Sequence, residues 1–371
     1  MARRRCRLPS SLASFWATLG LSCPRLSPAT VTEAFVNPED LWGERPEALA
    51  ERLGVPLRDV EPLYSERAAQ RGRALVEAVA AVGQELVSFS DERYPARLRR
   101  IADPPAFLCV QGALPPPDAP TVGIVGSREA SPQGVSWARY FGQELGRLGV
   151  WVVSGGAVGI DAAAHEGALA AGGGTIAVRG SGLDIDYPSG HKLLYRDIAA
   201  AGASVSEHGP GVLPLRGHFP RRNRIIAGMS LGVIVVEAGA RSGALVTARL
   251  AVDQGREVFA VPGALDSPLS VGTNRLIQQG AKLVMSVDDV LDELLPQLAA
   301  SVPAPPRGGG EAAGGLLSAF DGGALTVDEL AVALGRPAPS VAGELLELEL
   351  SGQIVPMPGG LYRLGVWGRA R

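Results

Sequence analysis

Thr121-Val122-Gly123-Ile124-Val125 runs into Gly126-Ser127-Arg128, and an amphipathic stretch, Val135–Leu148, then leads to Trp151-Val152-Val153 and Ser154-Gly155-Gly156. An apolar β-branched run, a Gly-Ser turn, a helical period and a second apolar run make one strand–helix–strand unit with both strand faces buried. The texture repeats downstream. Short apolar runs fall at Thr175–Val178, Ser204–Ser206, Val233–Val236, Val258–Val261 and Leu283–Val284. Between them lie the amphipathic segments Asp161–Ala170, Lys192–Ala200 and Ala244–Gln254. This alternation predicts an α/β core, a parallel sheet covered on both faces by helices. Right-handed crossovers bring the turns after the strands to one edge, where ligands of such sheets bind.

Upstream of residue 105 the pattern is helical. Glu47–Leu53 and Ser65–Val82 carry apolar residues at spacings of three and four, punctuated by Asn37-Pro38 and Val55-Pro56. Pro115 to Pro120 forms a stiff approach to the core. Downstream, residues 296–315 are rich in Pro, Gly and Ala and read as a flexible linker. Residues 316–371 then read as helix, short helix (Val327–Leu334), helix (Val341–Leu350) and a hairpin around Pro358-Gly359-Gly360, the outline of a winged helix. Its third helix carries Glu344, Glu347 and Glu349 and no basic residue. Three carboxylates would repel phosphates, so partner binding or a structural role fits it better than reading a DNA groove. The expected organisation is 1–105 helical, 106–295 core, 296–315 linker and 316–371 winged-helix-like.

Composition bounds what this organisation can do. Of 371 residues 46% are hydrophobic and 20% charged, so wholesale disorder is excluded. The formal net charge is -3, and any nucleic-acid role must rest on a local basic patch. Among the 35 basic residues only Lys192 and Lys282 are lysine, a pattern that GC-rich coding explains by itself. Cys6, Cys23 and Cys109 form neither a CxxC pair nor an even set, which favours a reducing compartment over disulfides or zinc. The longest apolar run, Ile225–Val236, is too short to span a bilayer. Arg3, Arg4, Arg5 and Arg7 before a moderately apolar stretch imitate a signal peptide, but Ser11, Ser14, Thr18 and Ser22 interrupt it. It reads as a lead-in to a helix, or as an over-extended start.

The turns at the expected ligand edge are rich in glycine: Gly126-Ser127-Arg128, Ser154-Gly155-Gly156-Ala157, Gly180-Ser181-Gly182, Gly239-Ala240-Arg241-Ser242-Gly243 and Pro262-Gly263. Glycine lets backbone N–H groups approach an anion, and the helix N-terminus that follows favours negative charge. Several such turns on one edge point to phosphate. Neither lysine follows a glycine as a Walker A loop requires, and a strict GxGxxG is absent; a P-loop and a dinucleotide fingerprint are both missing. Leu215–Arg224 holds four arginines and His218 around Phe219 without an acid. Arginines on phosphates and a phenyl ring under a base are the two components of single-strand binding. A solvated arginine cluster with Phe219 in the core fits the spacing equally well. Asp161 and His165 lack a third ligand and read as a helix cap and a packed residue. Glu207 and Glu237 close their strands, where carboxylates more often hold an arginine or a backbone N–H than act as general bases. Tyr187-Pro188 reads as turn chemistry. No nucleophile–base pair and no metal set emerges.

Taken together, these motifs resemble the DNA-processing protein A (DprA/Smf) family from about Tyr94 to Leu294. The resemblance rests on Val125-Gly126-Ser127-Arg128 with Ser131, Ser154-Gly155 with Gly159-Ile160-Asp161 and Ala164-His165, and Gly182-Leu183-Asp184 with Tyr187-Pro188. It continues through Ser206-Glu207, Phe219-Pro220, Arg222–Gly228, Glu237-Ala238 with Ser242-Gly243, Pro262-Gly263 and Gly272-Thr273-Asn274. It implies an extended Rossmann-like core, often flanked by a helical, SAM-like N-terminal domain and a winged-helix C-terminal domain. It further implies a cytoplasmic, dimeric, non-enzymatic binder of single-stranded DNA that needs no cofactor. Such proteins protect incoming strands in natural transformation and load the RecA recombinase onto them. By motif, the DNA-binding residues would be Gly126, Ser127, Arg128, Ser154, Gly155, Gly156, Arg216, Phe219, Arg222, Asn223 and Arg224. Gly156 departs from the larger apolar residue often found at its position. The rival reading is an enzyme on the same fold, a LOG-like nucleotide phosphoribohydrolase with the signature PGGxGTxxE. Here Pro262-Gly263 and Gly272-Thr273 lie apart and Leu276 stands where the glutamate would be, which argues against it.

Overall fold

A computed structural model of the chain describes residues 11–296 in one unit and, in a second, residues 316–317, 319–320, 324–350, 353–357 and 360–364. The linker expected at 296–315, Pro296 apart, Cys6 and the arginines before Leu8 lie outside the described residues.

The first unit is built on nine strands: β1 (Glu85–Ser88), β2 (Phe107–Gly112), β3 (Thr121–Val125), β4 (Trp151–Ser154), β5 (Thr175–Arg179), β6 (Ala203–Ser206), β7 (Gly232–Val235), β8 (Glu257–Ala260) and β9 (Lys282–Leu283). Their order across the sheet is β1-β2-β6-β5-β4-β3-β7-β8-β9. From β6 to β9 all neighbours are parallel, whereas β1 pairs antiparallel with β2 and β2 antiparallel with β6. All seven strands read from the apolar runs are present within a residue or two. They carry Val, Ile and Ala on both faces because both faces are covered, and Ile124, Val152, Val153, Ile176, Val205, Ile234 and Phe259 are fully buried.

The sheet starts earlier than expected. The sequence reading opened the core at residue 106, but β1 lies at residues 85–88 and joins β2 in register from Glu85–Val110 to Ser88–Phe107. Four residues are too few to display an alternation beside a long helical period. The helices that precede β1 are packed on the sheet. Helix Leu12–Ser22 is N-capped by Ser11, whose Oγ accepts from the Ser14 N–H at 3.2 Å, and it buries Phe15, Trp16 and Leu19. Trp16 meets Phe89 at a centroid distance of 5.4 Å, and one continuous apolar core runs from Phe15 to Val258. Cys23 and Cys109 are buried in it, and burial pushes each thiol up to about 12.

Chain order places a switch in the middle of the sheet. From β3 the chain steps outward through β4 and β5 to β6, then returns to lay β7 against the other side of β3 and continues to β8 and β9. The turns after β3 and β7 therefore diverge, and a crevice opens between them at the carboxyl ends of the strands.

The second unit is a winged helix. β10 (Leu325–Thr326) precedes helix Val327–Leu334, which starts on a capping box: the Glu329 N–H reaches Thr326 Oγ1 at 3.2 Å and the Thr326 N–H reaches Glu329 Oε2 at 2.7 Å. Helix Ala338–Leu350 follows, then the antiparallel pair β11 (Ile354–Met357) and β12 (Leu361–Leu364). Leu316, Phe320, Leu330, Val341, Leu345 and Ile354 form its core. Glu344 on the third helix pairs with Arg336 at 2.6 Å, and Glu347 is exposed. Among the described residues no helix is long and apolar enough to cross a membrane.

Candidate nucleic-acid interface

The crevice between the turns after β3 and β7 is a cleft of about 760 Å³. Ser242, Gly243 and Ala244, at the start of a helix, line it. Ser131 N-caps helix Pro132–Arg147 by accepting from the Gly134 N–H at 3.0 Å, and Ser242 caps helix Gly243–Asp253 by accepting from the Ala244 N–H at 3.3 Å. Glu237, just past β7, crosses the switch: it accepts from the Ser131 N–H at 2.9 Å and from the Ser131 hydroxyl. A side chain at residue 134 would displace this carboxylate from the clamp, since a Cβ there would lie 2.3 Å from Glu237 Cδ. Glu237 is thus a clamp between the two loops, as its strand-end position led the sequence reading to favour.

Arg128, Arg216 and Arg241 are exposed, line the cleft, and enter no ion pair among the described residues. Phe219 lines the same cleft, with the Arg128 guanidinium 5.4 Å from its ring centroid and the Tyr187 ring at 5.5 Å, tilted by 37°. Gly126, Ser127, Arg222 and Asn223 complete the set of predicted residues that line it. Two carboxylates also reach the lining: Glu129 on the exposed rim and the buried Asp161. The exposed cations, free of ion-pair partners and beside the helix start at Ser242, favour an anion. The phenyl face beside them offers a flat apolar platform.

Other predicted residues have different places. Ser154 is fully buried beneath the cleft and donates through Oγ to the carbonyl of Ile124 at 2.6 Å. Arg222 is 5% exposed; its Nη1 donates to the carbonyls of Gly155, at 2.7 Å, and Val178, and its Nε to Asn223 Oδ1 at 3.2 Å. Burial lowers its basicity, against the pull of Asp161. Arg224, two residues on, points away from the cleft: it is buried, and it pairs with Glu207 at 2.7 Å and Asp103 at 3.1 Å. Residues two apart on a helix are turned by about 200°, so Arg222 and Arg224 cannot share one face. Glu207 serves as the acceptor for Arg224, with Arg221 at 3.4 Å.

Gly155 and Gly156 shape the loop after β4. Asp161 does not cap its own helix; its Oδ2 accepts from the N–H groups of Gly155 at 3.1 Å and Ala157 at 3.3 Å, and burial raises its pKa. Gly156 has φ +68°, and a Cβ there would lie 2.6 Å from the Tyr195 hydroxyl, which bonds the Gly156 carbonyl at 2.8 Å. A larger residue is therefore excluded at this position. His165 is packed as expected. Thr175 gives its hydroxyl proton to the Val152 carbonyl, so the His165 Nδ1–H donates to Thr175 Oγ1 at 2.7 Å. Among the described residues no group of three or more His, Cys, Asp or Glu side chains is placed to hold a metal ion.

Sequence reasoning missed Arg241 and Arg179. Arg241 lies in a Gly-rich turn it had singled out, but the excess of arginine in the chain hid it. Arg179 ends β5 one residue past the apolar run Thr175–Val178, and a guanidinium closing such a run is the signal that could have found it.

The family model for DNA recombination-mediator protein A matches residues 85–295, and the model for the DprA winged helix domain matches residues 299–360. The chain is 43% identical to Protein Smf of Escherichia coli (strain K12) over 297 residues, 75% of this chain and 77% of Smf. It is 50% identical to DNA processing protein DprA of Streptococcus pneumoniae over 212 residues, 57% of this chain and 75% of that protein. The solved structure of DprA from Streptococcus pneumoniae superposes with a TM-score of 0.63 and 36% identity, covering 77% of this chain and 99% of the other. DNA processing protein A from Helicobacter pylori, a structure described for its single-stranded DNA binding mode, superposes with a TM-score of 0.51 and 32% identity, covering 55% and 93%.

Proposed function

The chain belongs to the DNA recombination-mediator protein A family, and on that premise we propose that it binds single-stranded DNA in the cleft between the turns after β3 and β7. One observation carries the reading: Arg128, Arg216 and Arg241, exposed and without carboxylate partners among the described residues, line one cleft with Phe219, and the Arg128 guanidinium lies 5.4 Å from the centroid of that ring. Phosphates would lie on the guanidinium groups and the face of Phe219 would stack under a base, a mode that tolerates any sequence because every base has a π-face. Ser154 and Arg224 support the cleft from outside its lining and do not meet the strand, and Arg222, which lines it, is held in place by two backbone carbonyls. In the same reading the protein is a cytoplasmic dimer that protects incoming strands during transformation and delivers them to RecA, and its role is binding and not catalysis. A phosphoribohydrolase finds less support, because Leu276 packs against the core where that signature needs a glutamate.

The test is fluorescence anisotropy with labelled oligo-dT and a matched duplex across a salt series. Tight, salt-sensitive binding of the single strand that Arg128→Ala weakens is the expected result, and RecA loading on the bound strand is the assay that follows it. Equal binding of both substrates, unchanged by Arg128→Ala, would rule the reading out.

A further inference from the structure

A smaller pocket of about 80 Å³ lies beside the cleft, at the carboxyl ends of β4 and β5. Arg128, Tyr187 and Phe219 line both spaces, and Gly156, Tyr195 and Arg179 line the inner one alone. Arg179 is only 3% exposed. Its Nη2 donates to the Ile185 carbonyl, and its guanidinium lies 3.8 Å from the centroid of the Tyr195 ring. Its Nε and Nη1 have no hydrogen-bond partner among the described residues, and it forms no ion pair there. The nearby carboxylates of Asp184 and Asp186 are exposed. Arg222, the second buried guanidinium on this pocket, lies near Asp161, the one buried carboxylate among the described residues, which is already engaged by two backbone N–H groups. Two desolvated cations thus face a small space with less than one opposing charge. Buried charges are paired or lie against a ligand of opposite sign.

We propose that this pocket takes a phosphate group, the terminal phosphate monoester of the strand lying in the cleft. The strand rests on the single-strand reading above; the phosphate rests on the pocket alone. A guanidinium with spare N–H groups suits a tetrahedral oxyanion, and a dianionic monoester matches two cations better than a singly charged diester does. Size selects the end of the strand. An internal phosphodiester needs room for a sugar on each side, whereas a terminal group can enter from the cleft alone, past Arg128, Tyr187 and Phe219, which line both spaces.

Internally labelled oligo-dT with a 5′-phosphate, a 3′-phosphate or only hydroxyl ends distinguishes the outcomes by anisotropy. One phosphorylated end should bind the wild type about tenfold more tightly than the hydroxyl-ended strand. Arg179→Met should erase that preference while binding the hydroxyl-ended strand like the wild type, and Arg179→Lys should keep part of it. Equal wild-type affinity for all three strands overturns the proposal without recourse to any variant, as does a preference that survives in Arg179→Met. If no oligonucleotide binds, the single-strand reading has failed, and inorganic phosphate then tests the pocket separately. Protection of the wild type from thermal unfolding that Arg179→Lys weakens would uphold a phosphate site; no protection would overturn it.

Discussion

Arg222 donates from Nη1 to the carbonyl oxygen of Gly155 at 2.7 Å, and so holds helix His218–Met229 to the loop after β4. The most conspicuous arginine run of the sequence therefore contributes its second member to the framework and not to the surface. Arg128, on the facing loop, is exposed and bonds to no carbonyl or carboxylate among the described residues. The two residues should separate cleanly in experiment. Arg222→Ala leaves two buried carbonyls and Asp161 without their cation, and should cost about 3 kcal/mol of stability. Arg128→Ala should leave the urea midpoint unchanged and weaken strand binding alone. A stable Arg222→Ala protein would show that the buried guanidinium is dispensable.

The cleft presents three exposed arginines, and each that meets a phosphate releases counterions. For single strands the slope of log K against log salt is about -0.7 per phosphate, so a strand on Arg128, Arg216 and Arg241 gives about -2. Arg241→Ala should reduce it to about -1.4. An unchanged slope would mean that the strand does not cross the turn after β7.

Phe219 carries no charge, and its removal should act differently. Its ring lines the cleft, 5.5 Å from the Tyr187 ring and 5.4 Å from the Arg128 guanidinium, and is the flat surface on which a base would stack. Phe219→Leu keeps the volume and loses the flat face, which should weaken binding by about 1–3 kcal/mol at every salt concentration. The salt slope should stay where it was. Lost affinity together with a flatter slope would place the ring's role in positioning Arg128 instead.

Strand-end chemistry was legible because it depends on local pattern. Apolar β-branched runs located β3 to β9, helix Val327–Leu334 was read at its observed bounds, and the Gly126-Ser127-Arg128 turn, Arg216 and Phe219 do meet in one cleft. What failed depends on distant partners. Nothing near Arg224 in the sequence shows that Asp103 and Glu207 wait for it, and nothing near β1 shows that β2 will pair with it. Orientation on a helix decides which arginines face outward, and a linear cluster does not carry that information. Arg179 escaped because one charged residue at the end of a buried strand looks like the start of a turn.

His165 gives the protein a pH dependence whose sign follows from its burial. It is fully buried, and desolvation, helped by the positive charge of His191 and Arg222, pushes its pKa down to about 3. The unfolded chain takes up this proton as the pH falls through about 6.5, while the folded protein resists until about 3. The unfolded state therefore binds more protons throughout that interval. Stability is fully present above about pH 6.5 and falls by about 1.4 kcal/mol per unit below it. Between pH 7 and pH 5 the loss is about 2 kcal/mol. His208, pushed down to about 4 mainly by burial, acts in the same direction but is partly exposed, and Asp161, raised by burial, opposes it. Both remain in His165→Gln, so comparing the two proteins isolates His165. Urea melts at pH 7 and pH 5 should show the wild type losing about 2 kcal/mol more than His165→Gln over that interval. Equal losses would mean that the imidazole takes its proton in the folded state as readily as in the unfolded one, and that a path for water or an acceptor reaches its Nε2.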